Sequence, residues 1–311
     1  MICIDLKSGN TVTPNFPTVL CIGNFDGVHI GHRMLIERTV SRSKELKKQY
    51  PNLRSGAWCF DSLTSAFFAD DVLAITSNAQ KLQLFSELGL DCVFIANFES
   101  MRNMPASEFT DEILKKQCNC IHAVCGFNFR YGRFGAGASE DLRLAFEEGS
   151  CDIIEQVKIN DASVSSSNIR SLIRDGNVEF AAKMLGRHFD ISSEVCHGKT
   201  LGRNLGFPTA NQIIPENSIV PKNGTYATYI KNDGQVLRAV TNIGIRPTFD
   251  DGNKLSCETF IIGYNGDLYG KSITVYFLKR LRDEKAFSSE HELKEQINRD
   301  ITASVETPIE L

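Results

Sequence analysis

The sequence predicts an α/β domain built on a parallel sheet with helices on both faces, followed by a small antiparallel β-barrel that ends in a helix. Three observations predict this. Short apolar runs alternate with helical patterns through the first half of the chain. Near residue 187 that alternation stops, and short strands separated by turn signals take over. The length, 311 residues, suits two domains at roughly 100–200 residues each. We set the expected domains at 1–186 and 187–311.

The elements follow in order. Thr18 to Gly23 is a short apolar run of the kind buried in parallel sheets. A helical stretch runs from about His32 to Lys48, and Ala57 to Phe60 is the next strand. Lys81 to Leu88 carries Leu82, Phe85 and Leu88 at helical spacing, with Gly89 as its stop. Cys92 to Ile95 is a strand, Pro105 to Lys116 a helix with Phe109, Ile113 and Leu114 on one side, and Ala123 to Cys125 a strand again. Asn177 caps a helix that presents Val178, Ala181, Ala182 and Leu185, and Gly186 ends it. Beyond 190, Thr225–Ile230 and Gln235–Val240 flank the turn Asn232-Asp233-Gly234. A second pair, Ser256–Ile262 and Ser272–Leu278, flanks Asn265-Gly266-Asp267. The last helix starts near Ser289, where Ser289 and Glu292 fit a capping box, and it buries Leu293 and Ile297.

Composition excludes several classes. Hydrophobic residues make up 42% and charged residues 23%, with a net charge of −4. No basic face marks a nucleic-acid binder. No apolar run approaches the roughly 20 residues that span a bilayer, and Met1 to Lys7 does not read as a secretory signal. We therefore expect a cytoplasmic protein with small-molecule partners, no nucleic acid and no membrane. Ten cysteines are scattered without a CxxC pair. Cys118, Cys120, His122 and Cys125 invite a zinc reading, but in a regular strand Cys125 points away from the other three, so free thiols are the expectation.

The segment Gly23-Asn24-Phe25-Asp26-Gly27-Val28-His29-Ile30-Gly31-His32 follows the first strand and opens the first helix. Ligands of open α/β sheets bind there. The helix N-terminus offers free N–H groups and partial positive charge to phosphate. His29 and His32 are three apart, so both rings share one side and can donate to charge developing on a triphosphate. By itself, a Gly-rich turn with a buried histidine would also fit.

This pattern resembles the HxGH motif of the nucleotidyltransferases, and more specifically the adenylyltransferase half of bacterial bifunctional riboflavin kinase/FAD synthetases. Cys125-Gly126-Phe127-Asn128-Phe129-Arg130-Tyr131-Gly132 resembles a second family segment, and Val164-Ser165-Ser166-Ser167-Asn168-Ile169-Arg170 a third. The resemblance implies a nucleotidyltransferase-like fold. It implies catalytic His29 and His32, and ATP or phosphate contacts from Gly23, Phe25, Asp26, Gly27, Gly31, Asn128, Ser166, Ser167 and Arg170. One segment departs: Phe60-Asp61-Ser62-Leu63-Thr64 lacks the family's Pro-His-Pro-type signature.

In the second half, Gly198-Lys199-Thr200 is not a P-loop, because position 193 is Ser where that motif needs Gly. The longer unit from Gly198 to Asn211 contains three glycines and Lys199, which can wrap phosphates, and Thr209 and Asn211, which can offer oxygens to Mg²⁺. It resembles the flavokinase signature, and Thr241 to Phe249 resembles that family's next loop. The resemblance implies a flavokinase-like barrel using ATP and Mg²⁺. Phosphate contacts fall to Gly198, Lys199, Gly202, Gly206 and Pro208, metal contacts to Thr209 and Asn211, flavin contacts to Arg246 and Arg282, and catalysis to Glu258. The implied activity is phosphorylation of riboflavin to FMN and adenylylation of FMN to FAD. Two alternatives stay open: a kinase with a weakened adenylyltransferase half, and a non-catalytic flavin-binding regulator, against which His29, His32, Thr209, Asn211 and Glu258 together argue.

Overall fold

The computed structural model describes every residue except 7–12, 64–71, 197–204, 249–251 and 311, and side chains at 245–254 also lie outside the described set. The chain divides into two compact units, Met1–Ser166 and Ser167–Leu311. That division falls about one helical hairpin earlier than the expected step from 186 to 187.

In the first unit, β1 (Ile2–Asp5), β2 (Thr18–Ile22), β3 (Arg54–Phe60), β4 (Cys92–Ala96) and β5 (Cys120–Gly126) are large-sheet strands. Two short strands, β6 (Arg130–Tyr131) and β7 (Gly137–Ala138), pair as a hairpin, and β8 (Cys151–Ile154) completes the main sheet. Its order is β1-β4-β3-β2-β5-β8, with every pairing parallel. Strand alternation divides the core. Val19 and Cys21 pack under α1 (Ile30–Leu46) and α2 (Asn78–Glu87) with Leu35, Ile36 and Phe85. Leu20 and Ile22 face the opposite layer, with Phe109, Ile113 and Leu114 from α3 (Phe109–Gln117) and Leu142 from α4 (Ser139–Ala145).

Three local readings are corrected. The helix expected over 105–116 is one α-turn, Ala106–Glu108, that widens into π-type turns, with the Cys118 N–H on the Ile113 carbonyl five residues back at 2.9 Å. The wider turn carries Phe109, Thr110, Ile113 and Leu114 all inward. β1 escaped the sequence reading because it is a four-residue, largely exposed edge strand, too short for its alternation to stand out. In β5 the register slips between Thr18↔Cys120 and Val19↔His122. This bulge reverses the alternation, so Cys120, Ala123 and Cys125 share one core rather than pointing apart. His122 instead meets the Asp152 carboxylate at 3.0 Å.

In the second unit, α5 (Ser166–Arg174, all but its first residue) and α6 (Val178–Leu185) precede the barrel. The Asn177 side chain accepts from the Phe180 N–H at 3.2 Å, and Gly186 closes α6 at φ 68°, as expected. Two-residue strands β9 (Lys158–Ile159) and β10 (Ala162–Ser163) belong to the first unit. The barrel strands are β11 (Phe189–Cys196), β12 (Thr209–Ile213), β13 (Gly224–Asn232), β14 (Gln235–Thr248), β15 (Gly252–Ile261) and β16 (Ser272–Arg282). They close in the order β11-β12-β15-β14-β13-β16. The expected β13–β14 turn is present, with Asp233 and Gly234 at φ 47° and 77°, the left-handed pair of a tight hairpin. β15 and β16 are not partners, although turn residues separate them: β15 lies between β12 and β14, and β16 between β11 and β13.

The final helix, α7 (Glu290–Glu306), takes its cap from Ser289. Glu292 bonds Ser288 rather than completing a box with Ser289. Leu293 and Ile297 are only half-buried, and the deepest residues are polar: Asp300 and Ser304. Asp300 receives Arg282, and Ser304 donates to the Ala239 carbonyl at 2.7 Å. The helix is held by polar clamps where the sequence pattern suggested an apolar stripe.

Candidate active sites

A cavity of about 830 Å³ opens in the first unit beyond the carboxyl ends of β2, β3 and β5. Gly23, His29, Gly31, His32, Asn128 and Ser166 line it. His29 stands at the N-cap of α1, where its Nδ1 accepts the His32 N–H at 3.3 Å. The two imidazoles stack with centroids 3.6 Å apart and planes 14° from parallel. A Cβ on residue 31 would lie 3.2 Å from the His29 ring, so glycine there lets the ring lie flat against the helix. Burial, then His29, then Lys81 push the His32 pKa well below its usual value, so this imidazole is neutral at pH 7.

Phe25, Asp26 and Gly27 brace this geometry rather than line the cavity, whereas Asn24 lines it. Phe25 is fully buried and meets Phe85 edge-on. The Asp26 carboxylate accepts the Ile75 and Thr76 N–H groups at 3.0 and 3.3 Å, and the Gly27 N–H donates to Thr76 Oγ1 at 3.0 Å. Ser166 Oγ donates to the Asp26 carbonyl at 2.8 Å, tying the serine segment to the Gly-rich loop. Ser165 also lines the cavity, whereas Ser167 and the buried Arg170 belong to the second unit.

Sequence reasoning missed one part of the cavity lining. It is aromatic: Trp58, Phe60, Phe98, Phe109, Phe127 and Tyr131. Trp58 meets Phe60 and Phe109 edge-on at 4.7 and 4.8 Å. Four separate segments supply these residues: Phe60, Phe127 and Tyr131 lay in quoted segments without being singled out, and no local motif marks Trp58, Phe98 or Phe109. Lys81 was also missed. It is buried on α2, and its Nζ donates to the Phe60 carbonyl at 3.3 Å.

On the barrel, strand register gathers the second set. Asn211 pairs with Glu258, Glu258 with Asn242, Asn242 with Thr225, and Thr225 with Arg282. Residues in direct register share a face, so one polar row crosses five strands. Thr209 is two residues from Asn211 and on the same face, and the Asn211 amide nitrogen donates to its carbonyl and hydroxyl at 3.0 and 3.1 Å. Alternation places a different row inside: Thr228, Thr241 and Thr259 are fully buried and bonded hydroxyl to hydroxyl at 2.8 and 2.9 Å. Asn242 lay in a quoted motif without being singled out. The Arg282 guanidinium grips Asp300 through Nε and one terminal nitrogen at 2.8–3.1 Å, and its other terminal nitrogen donates to the Asp283 carbonyl. Gly206 and Pro208 are exposed just before β12. Gly198, Lys199 and Gly202, and the side chain of Arg246, lie outside the described residues.

Comparison with known families covers both halves. An FAD synthetase family model matches residues 13–168, and a riboflavin kinase family model matches 185–307. The class is thus a two-domain, ATP-using transferase. The bifunctional riboflavin kinase/FMN adenylyltransferase of Bacillus subtilis (strain 168) is 32% identical over 290 residues, covering 91% of this chain and 90% of that protein. Its Escherichia coli (strain K12) counterpart is 35% identical over 296 residues, covering 92% and 91%. The chain belongs to the bifunctional riboflavin kinase/FMN adenylyltransferase family. A crystal structure described as a macrolide-efflux protein from Streptococcus pneumoniae, 28% identical, covers 99% of this chain and all of that one, with a TM-score of 0.89. Among the described residues, no helix is long and apolar enough to cross a membrane.

Proposed function

We propose that the N-terminal domain transfers AMP from ATP to FMN, releasing pyrophosphate, and that the barrel transfers the γ-phosphate of ATP to riboflavin. In the first reaction an FMN phosphate oxygen attacks the α-phosphorus. That nucleophile is already an anion, so the site needs no base. It needs donors for the charge that grows on the triphosphate, and the stacked His29/His32 pair at the head of α1 supplies them. Asn128, Ser165 and Ser166 line the same cavity and orient the nucleotide. The aromatic part of the lining suits a tricyclic isoalloxazine ring. Ser167 and Arg170 are assigned here as further phosphate contacts.

In the second reaction a ribityl hydroxyl must lose its proton as it attacks. Glu258 is the base, and one observation carries this assignment: its carboxylate stands in register beside Asn211. The Asn211 nitrogen is turned onto Thr209, which leaves its carbonyl oxygen as a hard donor. With the Thr209 hydroxyl it fits Mg²⁺, a cation that neutralises phosphate charge when bound. Gly198, Lys199, Gly202, Gly206 and Pro208 wrap the ATP phosphates. Arg246 and the donors that Asp300 leaves on Arg282 meet the flavin. The ten free cysteines fit work in a reducing cytoplasm.

The departure at Phe60 to Thr64 favours a second reading, a kinase with a weakened N-terminal activity. Incubating the protein with riboflavin, ATP and Mg²⁺ and separating the flavins tests both. FAD supports the full reading, FMN alone supports the second, and unchanged riboflavin refutes both.

A further inference from the structure

The strained tip of the β6–β7 hairpin carries an observation that the reaction scheme above does not use. Phe134 is 88% exposed, the most exposed large apolar side chain among the described residues. Its backbone sits at φ 56°, ψ 21°, in the left-handed region that a Phe rarely occupies. Backbone strain of this kind persists where the surroundings enforce it, and it clusters at ligand clamps. Here the surroundings do enforce it. The Arg133 N–H donates to the Met104 carbonyl at 2.7 Å, and the Gly135 N–H to the Gly132 carbonyl at 3.0 Å. Gly132 rests so closely on residue 106 that a Cβ would lie 2.7 Å from the Ala106 backbone. None of these anchors involves the Phe134 side chain. The hairpin therefore holds an aromatic ring out at the cavity lining while the ring gains almost no burial in return.

We propose that Phe134 is a specificity-determining residue that stacks on the isoalloxazine ring of FMN at the mouth of the N-terminal cavity. The inference rests on placing FMN in that cavity. The Arg133 guanidinium lies 4.9 Å from the Phe134 ring centroid and covers one face. The other face is left for a planar ligand, and a heteroaromatic ring buried there offsets both the strain and the exposed apolar surface. Adenine is the competing planar ring. The aromatic wall favours the flavin: Phe134 lines the same cavity and sits on the hairpin whose β6 carries Tyr131, and Tyr131 meets Phe109 at 5.5 Å and Phe109 meets Trp58 at 4.8 Å, so the ring belongs to the hairpin that supplies part of that wall.

The test measures FAD formation by the full-length protein, with FMN and ATP varied separately, in Phe134→Gly and Phe134→Trp. Glycine accepts the left-handed backbone, so Phe134→Gly keeps the hairpin and should melt at or above the wild-type temperature. Its KM for FMN should rise roughly five- to tenfold, with kcat and the KM for ATP within about twofold of wild type. Phe134→Trp should restore the KM for FMN, and FMN formation from riboflavin should be unchanged in both variants. An unchanged KM for FMN overturns the proposal. So does a rise confined to the KM for ATP, which assigns the ring to adenine, or a KM change that tracks a fall in melting temperature, which makes Phe134 structural. The placement of FMN fails separately: wild-type protein would then make no FAD, and FMN would not quench Trp58, the chain's single tryptophan and part of the cavity wall.

Discussion

The two candidate sites are each assigned a reaction at a phosphate of ATP, yet they are built from opposite materials. The N-terminal site is a cavity whose assigned groups are donors with no base among them: stacked imidazoles, a helix N-terminus, an amide and hydroxyls. The barrel site lies along one face of a sheet and centres on a carboxylate between two asparagines. The nucleophile explains the contrast. FMN arrives with an ionised phosphate, which attacks without a base. Riboflavin arrives with a hydroxyl, and without a base that hydroxyl is a poor nucleophile. The architecture follows the same logic: an α/β sheet supplies a helix terminus at its strand ends, whereas a barrel supplies rows of side chains in register.

The comparison breaks most sharply at Glu258. Glu258→Gln keeps shape and hydrogen bonding but removes the base, so FMN formation should fall by roughly 10²–10⁴. Conversion of supplied FMN to FAD should stay near normal. Single-turnover assays of each step, with riboflavin binding followed by fluorescence, read both. Unimpaired FMN formation would remove Glu258 from the mechanism.

The complementary change is His32→Ala. Losing one donor aimed at transition-state charge should cut FAD formation by about 10²–10³, while FMN formation continues. Parallel loss of both activities in a normally folded variant would end the division of labour between the domains.

A third prediction concerns where the halves part. The chain's contacts divide it at Ser166/Ser167, and the family models leave residues 169–184 between them. We propose that α6 is part of the kinase half. Val178, Met184 and Leu185 on α6 are at most 1% exposed, and each such side chain contributes about 1.5–3 kcal/mol. A fragment of residues 167–311 should fold and make FMN, while residues 187–311 should lose several kcal/mol of stability, a large part of a typical ~5–15 kcal/mol. Equal urea midpoints for the two fragments would restore the later boundary.

What was legible in the sequence followed from local chemistry. Strand–helix alternation, the Asn177 and Gly186 caps and the Asp233-Gly234 turn are decided within a few residues, and they read correctly. The His29-x-Gly31-His32 pairing was legible for the same reason. What failed was non-local. Whether β16 pairs with β15 or β13 is decided by barrel closure, which no window of sequence contains. The phase of β5 turned on a bulge against β2. The row from Asn211 to Arg282 exists only through register across five strands, and the aromatic wall only through segments that meet in space. α7 misled because its deepest residues, Asp300 and Ser304, are polar, and their partners Arg282 and the Ala239 carbonyl lie elsewhere in the chain.

The smallest predicted effect tests whether His32 is tuned to stay neutral. Three influences hold His32 uncharged: burial first, then His29 on its own helix, then the Lys81 ammonium from α2. Because its folded pKa lies below 6.5, the unfolded chain takes up a proton there that the folded chain does not. Stability from this group is therefore complete above pH 6.5 and is lost as pH falls toward the folded value. Lys81→Met removes one of the three influences, so the folded pKa of His32 rises and less stability is lost on acidification. The substitution also strips the Phe60 carbonyl of its donor, at a cost of about 1–3 kcal/mol that does not depend on pH. The two effects separate by comparison. The deficit of Lys81→Met relative to wild type should be largest at pH 7.5 and should shrink at pH 5.5. Urea titrations followed by Trp58 emission report this domain alone, because the chain has no other tryptophan. His122 is also held below its usual pKa by burial, but that contribution is common to both proteins and cancels. If the deficit is the same at both pH values, Lys81 acts only through the Phe60 carbonyl, and the neutrality of His32 owes nothing to it.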